Sequence, residues 1–246
     1  MLKYLAYDEF TCMKSGTLVL VRHGESRLNE VNRFSGWLDI PLSHHGVNEA
    51  RTLAEHCSNT QYTAAFTSHL ERAHETLLVI LSRQKKIAIF GHEKDKRYNN
   101  LSRIPKTFLN HLTHVYASKA LNERMYGDLE GLVKSDAERQ HGKDQVFRWR
   151  RGFAERPPNG ESLKDVYERV VPFFEKEIHP MVKEGGNILV VAHGNTLRAL
   201  IKHFEEISDE HIPFVDLPTA HPFVYHYKKG KYQRKHGEYD FTRPLR

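Results

Sequence analysis

Thr17-Leu-Val-Leu-Val-Arg-His-Gly-Glu-Ser26 decides how this chain folds. Five leucine or β-branched residues in a row suit a strand buried on both faces, as strands of parallel sheets are. The run then stops at a charged turn that contains a glycine. In open parallel α/β sheets, ligands bind beyond the carboxyl ends of the strands. Arg22 and His23 therefore stand where a cleft opens, and Gly24 lets backbone come close to a ligand. Alone, Arg-His-Gly is too short to be specific.

Ile188-Leu-Val-Val-Ala192 repeats the arrangement. It reads as a buried strand and runs into His193-Gly194-Asn195-Thr196, with a helix from about Leu197 to Phe204. A helix start offers free N–H groups and a favourable dipole to an anion. Two His-Gly pairs, each after a strand, are harder to obtain by chance than one; the alternative is a pair of ordinary turn histidines. Ala64-Ala-Phe-Thr67 is another strand, and Thr67-Ser-His-Leu-Glu-Arg72 puts Arg72 at the beginning of a helix spanning Glu71 to Leu81. His114-Val-Tyr-Ala-Ser118 is a weaker strand, with Glu123 shortly after it in Leu121-Asn-Glu-Arg124. Apolar residues at helical spacing mark two more helices. Gly46 to Cys57 carries Val47, Ala50, Leu53 and Ala54 on one face, and Leu163 to Val182 carries Leu163, Val166, Val170, Phe173 and Phe174. Ser162 and Asp165 form the start signal of the second; Pro172 is expected to bend it, and Pro180 lies near its end. Alternating strands and helices predict an α/β three-layer sandwich with a mainly parallel central sheet.

The length of 246 residues suits one domain, and 39% hydrophobic with 28% charged residues suits an ordinary globule. No apolar run approaches the roughly 18 residues of a membrane span, so no membrane partner is expected. Cys12 and Cys57 alone offer no disulfide framework, which points to a reducing cytoplasm. In that compartment the sequon Asn100-Leu101-Ser102 stays unmodified. The start of the chain lacks the apolar core and cleavage site of a signal peptide. Met13 reads as a natural start, making residues 1–12 a dispensable extension ahead of a domain over 13–227. Residues 83–113 look like an excursion from the core, and 228–246 like a basic, mobile tail. A net charge of +6 favours anionic partners without separating small phosphates from nucleic acid.

The strand ends supply two imidazoles (His23, His193), two guanidiniums (Arg22, Arg72) and one carboxylate (Glu123). This set suits phosphoryl transfer: one imidazole as nucleophile, the other as a donor, arginines matched to phosphate oxygens, and a carboxylate to move an alcohol proton. Leu20-Val-Arg-His-Gly-Glu-Ser26 with Asn29 resembles the signature of the histidine phosphatase superfamily. Arg33-Phe-Ser-Gly-Trp-Leu-Asp39, Leu42-Ser43 with Gly46, Leu121-Asn-Glu-Arg-Met-Tyr-Gly127, Trp149-Arg-Arg151, Glu161-Ser-Leu-Lys-Asp165, Ala192-His-Gly-Asn195 and Leu217-Pro-Thr219 resemble its phosphoglycerate mutase branch. The resemblance covers roughly residues 17–227 and implies a phosphoglycerate mutase-like fold.

By that resemblance, His23 is the phosphorylated nucleophile, Glu123 the proton donor and acceptor, and His193 the group that stabilises the phosphoryl in transit. Arg22, Asn29, Arg72 and the Gly194–Asn195 backbone hold that phosphoryl. Ser35, Gly36, Arg124, Met125, Tyr126, Lys134, Arg150 and Arg151 complete the substrate-binding set. The implied activity interconverts 2- and 3-phosphoglycerate in glycolysis and gluconeogenesis, with 2,3-bisphosphoglycerate priming His23, no metal, and a homodimer. Ser35 stands where threonine is frequent, Met125 where histidine is, and Glu130 where glutamine is. The segment 83–113 is longer than its counterpart and Arg156-Pro-Pro-Asn-Gly160 shorter. His44-His45 and His111-x-x-His114 lack further metal ligands nearby in sequence. The rivals are a phosphatase or bisphosphoglycerate synthase on the same scaffold, and a non-enzymatic polyanion or nucleic-acid binder. The latter would show a basic stripe with exposed aromatics, whereas these arginines converge on strand ends, so no nucleic acid is expected.

Overall fold

A computed structural model describes residues 16–91 and 105–235. Seven strands form one sheet in the order β3-β4-β2-β5-β1-β6-β7. These are β1 (Thr17–Arg22), β2 (Ala64–Thr67), β3 (Ile87–Gly91), β4 (Leu112–Ala117), β5 (Asn187–Ala192), β6 (Pro222–Lys228) and β7 (Lys231–Arg234). The first five pair in parallel, and β6 and β7 add an antiparallel hairpin beside β1.

Side-chain alternation on β1 builds both faces. Leu18 and Leu20 join one apolar cluster with residues of α7 (Leu163–Phe173), α8 (His179–Lys183) and α9 (Gly194–Phe204). Val19 and Val21 join the other, with residues of α2 (His44–Cys57) and α3 (Glu71–Leu81). Each such buried aliphatic side chain contributes roughly 1.5–3 kcal/mol, and this double burial is why β1 and β5 read as unbroken apolar runs. The three-layer sandwich is as expected. A third, smaller core of Phe34, Leu129, Ala137, Val146 and Trp149 holds together a lobe made of α5 (Lys134–His141), α6 (Lys143–Arg151) and the loops beside them. Two four-residue helices, α1 (Arg27–Glu30) and α4 (Lys106–Leu109), complete the set.

Several boundaries differ from the sequence reading. The long helix ends its α-helical part at Phe173, one residue after Pro172. It continues as a π-helical turn over Phe174–Ile178 and resumes as α8, with Pro180 in the first turn of α8. Proline lacks the N–H that an unbroken ladder needs. Within 83–113 the described residues supply β3 and α4, and β3 extends the sheet at its edge. The basic tail begins as an ordered hairpin, because Tyr227 pairs with Tyr232 and Lys228 with Lys231. Residues 1–12, the sequon at Asn100 and 236–246 lie outside the described residues.

Candidate active site

Register brings the two histidines together. β1 and β5 run parallel with Arg22 opposite Ala192, so the next residues on both, His23 and His193, emerge side by side. Their ring centroids are 5.0 Å apart. The His23 N–H still donates to the Ala192 carbonyl at 3.0 Å, which extends the ladder to the site. Gly24 is required by packing: a Cβ there would sit 2.5 Å from the Gly46 carbonyl oxygen, where the start of α2 approaches.

His23 is buried, and its Nδ1 donates to the Gly24 carbonyl at 2.6 Å. That bond fixes the tautomer and leaves the lone pair on Nε2. Burial, then Arg72 and Arg22, push its pKa well below the ordinary histidine value, so the ring is neutral near pH 7. His193 is displaced the same way by burial, Arg72 and His23. Its Nε2 lies 2.7 Å from the Ser68 hydroxyl.

Arg72 comes from the first turn of α3, whose Glu71 N–H is capped by the Asp39 carboxylate at 2.7 Å. Two of its nitrogens donate to the Leu38 and Gly36 carbonyls, and burial pulls its pKa down to about 10. Arg22 is held by the Leu217 carbonyl at 2.7 Å. Arg22 Nε, Arg72 Nε, Ser35 Oγ and His193 Nδ1 are buried without a protein partner. Donors left unpaired in a folded interior imply an acceptor that arrives from outside.

Glu123 follows β4 after a single 3-10 turn over Lys119–Leu121. Its carbonyl accepts from Trp37 Nε1 at 2.5 Å and from Arg169 at 2.9 Å. Its Oε1 accepts from the Arg124 N–H, the Asn195 N–H and the Asn195 side chain. Oε2 is left as the oxygen that can take a proton. The Asn195 N–H, expected to hold a phosphoryl group, is thus engaged by Glu123.

One cavity gathers most of the expected residues: Arg22, His23, Asn29, Ser35, Gly36, Arg72, Glu123, Tyr126, Lys134, Arg150, Arg151, Gly194 and Asn195 line it. His193 is fully buried and does not line the cavity itself, but its ring lies 5.0 Å from that of His23. Arg124 and Met125 lie behind the wall rather than on it. The Arg124 side chain is fully buried and donates to the Tyr126 hydroxyl and the Arg150 carbonyl, while the Met125 backbone is tied to Glu161 at both its N–H and its carbonyl. Arg33, Phe34, Arg198, Asp216 and Leu217 also line the cavity and were not anticipated. Arg198 escaped the sequence reading, although it is the one charged residue in Asn195-Thr-Leu-Arg-Ala-Leu-Ile201, a stretch of α9 that the fold buries all round. Its guanidinium donates to the carbonyls of Arg151 and Ile212 and to the Asn195 side chain, and burial lowers its pKa to about 9.

The far side of the cavity is cationic. Lys134, whose pKa burial and Arg150 lower, starts α5, and Arg150 and Arg151 end α6. Glu138 lies 3.8 Å from Arg150, and Asp216 lies 3.3 Å from Arg151. Glu130 braces this wall, its Oε1 accepting from the Trp37 and Tyr126 N–H groups; glutamine could make the same two bonds. Among the described residues, no group of three or more His, Cys, Asp or Glu side chains gathers as a metal site, and no helix is long and apolar enough to cross a membrane.

A parallel sheet with paired histidines at one edge, ringed by arginines, defines a class, and comparison with known proteins agrees. The chain belongs to the histidine phosphatase superfamily (branch 1), whose family model matches residues 18–94 and 103–237. A relative from Methanosarcina acetivorans, named 2,3-bisphosphoglycerate-dependent phosphoglycerate mutase, is 44% identical over 239 residues, covering 91% of this chain and 96% of its own. A protein of the same name from Chlamydia pneumoniae is 43% identical over 225 residues, covering 90% and 98%. Solved structures resemble the fold at lower identity. A mycobacterial glucosyl-3-phosphoglycerate phosphatase superposes with a TM-score of 0.70 at 22% identity, covering 89% of this chain and 97% of its own. An α-ribazole phosphatase from Shigella flexneri superposes at 0.67 and 22%, covering 89% and 94%.

Proposed function

We infer that this chain is a phosphoglycerate mutase that interconverts 2- and 3-phosphoglycerate through a phosphohistidine on His23, with 2,3-bisphosphoglycerate as the priming donor. One observation carries the reading: a single cavity joins the His23 end to a second cationic cluster of Lys134, Arg150 and Arg151. A phosphatase needs only the first end. A mutase must also hold the carboxylate and the second phosphate while the substrate turns.

The lining fits a bisphosphorylated acid, because its unpartnered buried atoms are donors or a hydroxyl and its charge is strongly positive. When bound, 2,3-bisphosphoglycerate supplies the phosphoryl group that primes His23. His23 Nε2, a neutral nucleophile, accepts that group as the ester O–P bond breaks, and Glu123 Oε2 gives a proton to the departing alcohol oxygen. In the return step the substrate hydroxyl attacks the phosphohistidine in line, and Glu123 Oε2 takes the hydroxyl proton. The N–P bond breaks as the O–P bond forms, and the electron pair returns to Nε2. Arg22, Arg72 and the Gly194 N–H face the equatorial oxygens, where charge spreads during transfer. His193 adds a further donor. Asn29, Ser35, Gly36, Tyr126, Lys134, Arg150 and Arg151 position the remainder of the substrate, with Arg124 behind Tyr126 as its support.

The test is a coupled assay of 3-phosphoglycerate conversion with and without added 2,3-bisphosphoglycerate, paired with mapping of the phosphorylated residue. Conversion stimulated by the bisphosphate, with an acid-labile, base-stable adduct on His23, is the expected result. An adduct elsewhere, or hydrolysis without isomerisation, rejects the reading.

A further inference from the structure

Ser68 has no role in the chemistry described so far, yet it is fully buried and its hydroxyl oxygen lies 2.7 Å from His193 Nε2. Register places it there. Thr67 pairs with Val191 on β5, so Ser68 leaves β2 beside the point where His193 leaves β5. The main-chain groups around it are matched, although the Thr67 hydroxyl is buried without a protein partner. The Thr67 carbonyl accepts from the Ser118 N–H, the Ser68 carbonyl pairs with His74 Nε2 at 2.6 Å, and the His69 N–H donates to the Asn122 side chain. The Ser68 hydroxyl oxygen already accepts from the Leu70 N–H at 3.1 Å.

We propose that Ser68 is a positioning residue that donates its hydroxyl proton to His193 Nε2, fixing the tautomer whose Nδ1 carries the proton and is presented to the phosphoryl group.

The alternative arrangement has Nε2–H donating to Ser68. It would leave the Ser68 O–H without an acceptor in a fully buried place. It would also leave His193 Nδ1, which is buried and has no protein partner, as a bare lone pair next to the anion's site. A buried polar hydrogen without an acceptor is unfavourable, and a lone pair facing a phosphoryl oxygen repels it. In the proposed arrangement the unmet group of the Ser68–His193 pair is Nδ1–H, a donor whose acceptor arrives with substrate. His23 is built by the same logic from the opposite side. The Gly24 carbonyl takes its Nδ1 proton, so Nε2 becomes the nucleophile. Two adjacent histidines are thus set to opposite tautomers by two different partners, one as nucleophile and one as donor. The burial that holds His193 neutral keeps this a choice of tautomer rather than of charge.

The kinetic consequence rests on the mutase reading; the tautomer itself does not. Two-bond 15N–1H imidazole spectra of the ligand-free full chain near neutral pH report which nitrogen of His193 is protonated. The wild type is expected to show Nδ1–H. In Ser68→Ala the ring should divide between tautomers, and kcat should fall about tenfold as the competent fraction falls, with KM within about twofold. Ser68→Thr, which keeps the hydroxyl, should restore the Nδ1–H tautomer and most of kcat. An Nε2–H signal in the wild type overturns the proposal without needing any variant. So does Ser68→Ala with both tautomer and kcat unchanged. If the chain failed to isomerise phosphoglycerate at all, the wild-type spectrum would still decide the tautomer.

Discussion

The two ends of the cavity are built differently. At one end, His23, His193 and Arg72 leave the sheet or the helix start next to it, and each is at most 3% exposed. Their surroundings are the two large cores on either face of the sheet. At the other end, Lys134, Arg150 and Arg151 ride on α5 and α6, over a separate core of five buried residues. Their side chains are partly exposed, and two of the three pair with carboxylates at the rim. On the proposed reading, the difference assigns bond making and substrate retention to separable parts of the molecule. Arg198 is the bridge, since its guanidinium joins Asn195 at the chemical end to the carbonyls at the end of α6.

If the ends are separable, damage at the first must abolish every phosphoryl transfer. His23→Ala should lower both isomerisation and hydrolysis of a generic phosphoester by about 10⁴-fold or more, as loss of a nucleophile does. Glu123→Gln keeps size but cannot take a proton on Oε2, so kcat should fall by roughly 10²–10⁴-fold. Steady-state assays of the two reactions check both, and a Glu123→Gln variant with normal kcat would assign Glu123 a structural role.

Damage at the second end should separate the reactions. Arg151→Ala removes one charge-assisted contact worth about 1.5–3 kcal/mol. Isomerisation should drop about 10- to 100-fold, with hydrolysis of a small phosphoester nearly unchanged. Equal losses in both would join the two ends into one unit. No loss in either would put Arg151 outside the substrate's reach.

What the sequence disclosed follows the same division. The chemical end lies on continuous apolar strands that stop abruptly at polar turns, and one-dimensional pattern suffices to find such a place. β1, β5 and the start of α3 were legible for that reason. The β6–β7 hairpin was not, because Pro222 opens it and its short outer strand, Lys231-Tyr-Gln-Arg234, is basic at both ends and resembles a tail. The grip at Lys134, Arg150 and Arg151 became legible through resemblance, since charged residues on a short helix otherwise read as solvated surface. Arg198 and Asp216 escaped both routes. One is a cation hidden in a buried helix, and the other is a rim carboxylate whose meaning depends on the arginine folded against it.

The chemical end also predicts a dependence on acid. His23 and His193 are held neutral by burial, with folded pKa values below the unfolded value of about 6.5. Between those values the unfolded chain binds more protons than the folded one, so stability falls as pH drops below about 6.5. Each histidine contributes a slope of up to about 1.4 kcal/mol per pH unit, or tenfold in the unfolding constant, until its own folded pKa is reached. Urea unfolding from pH 7 to 5 measures this. His193→Asn should flatten the slope relative to wild type, and an unchanged slope would remove His193 as a source of acid lability.

The smallest effect concerns Asp216, and it tests how loosely the grip is set. Both terminal nitrogens of Arg151 lie 3.3 Å from the same Asp216 oxygen. The arginine side chain is 19% exposed and the aspartate 49%. A substrate carboxylate or phosphate that binds Arg151 must compete with this carboxylate, and it meets a negative charge at the mouth as it does so. Asp216→Asn removes the competing charge and keeps the shape. Partly exposed ion pairs are worth roughly 0.2–1 kcal/mol, which sets the scale. KM for 3-phosphoglycerate should fall by about 1.4- to 5-fold, and the gain should shrink as salt screens the field. Hydrolysis of a small phosphoester, which needs no contact with Arg151, should keep its KM. A KM for 3-phosphoglycerate that rises instead would mean that Asp216 holds Arg151 in its binding position rather than competing for it.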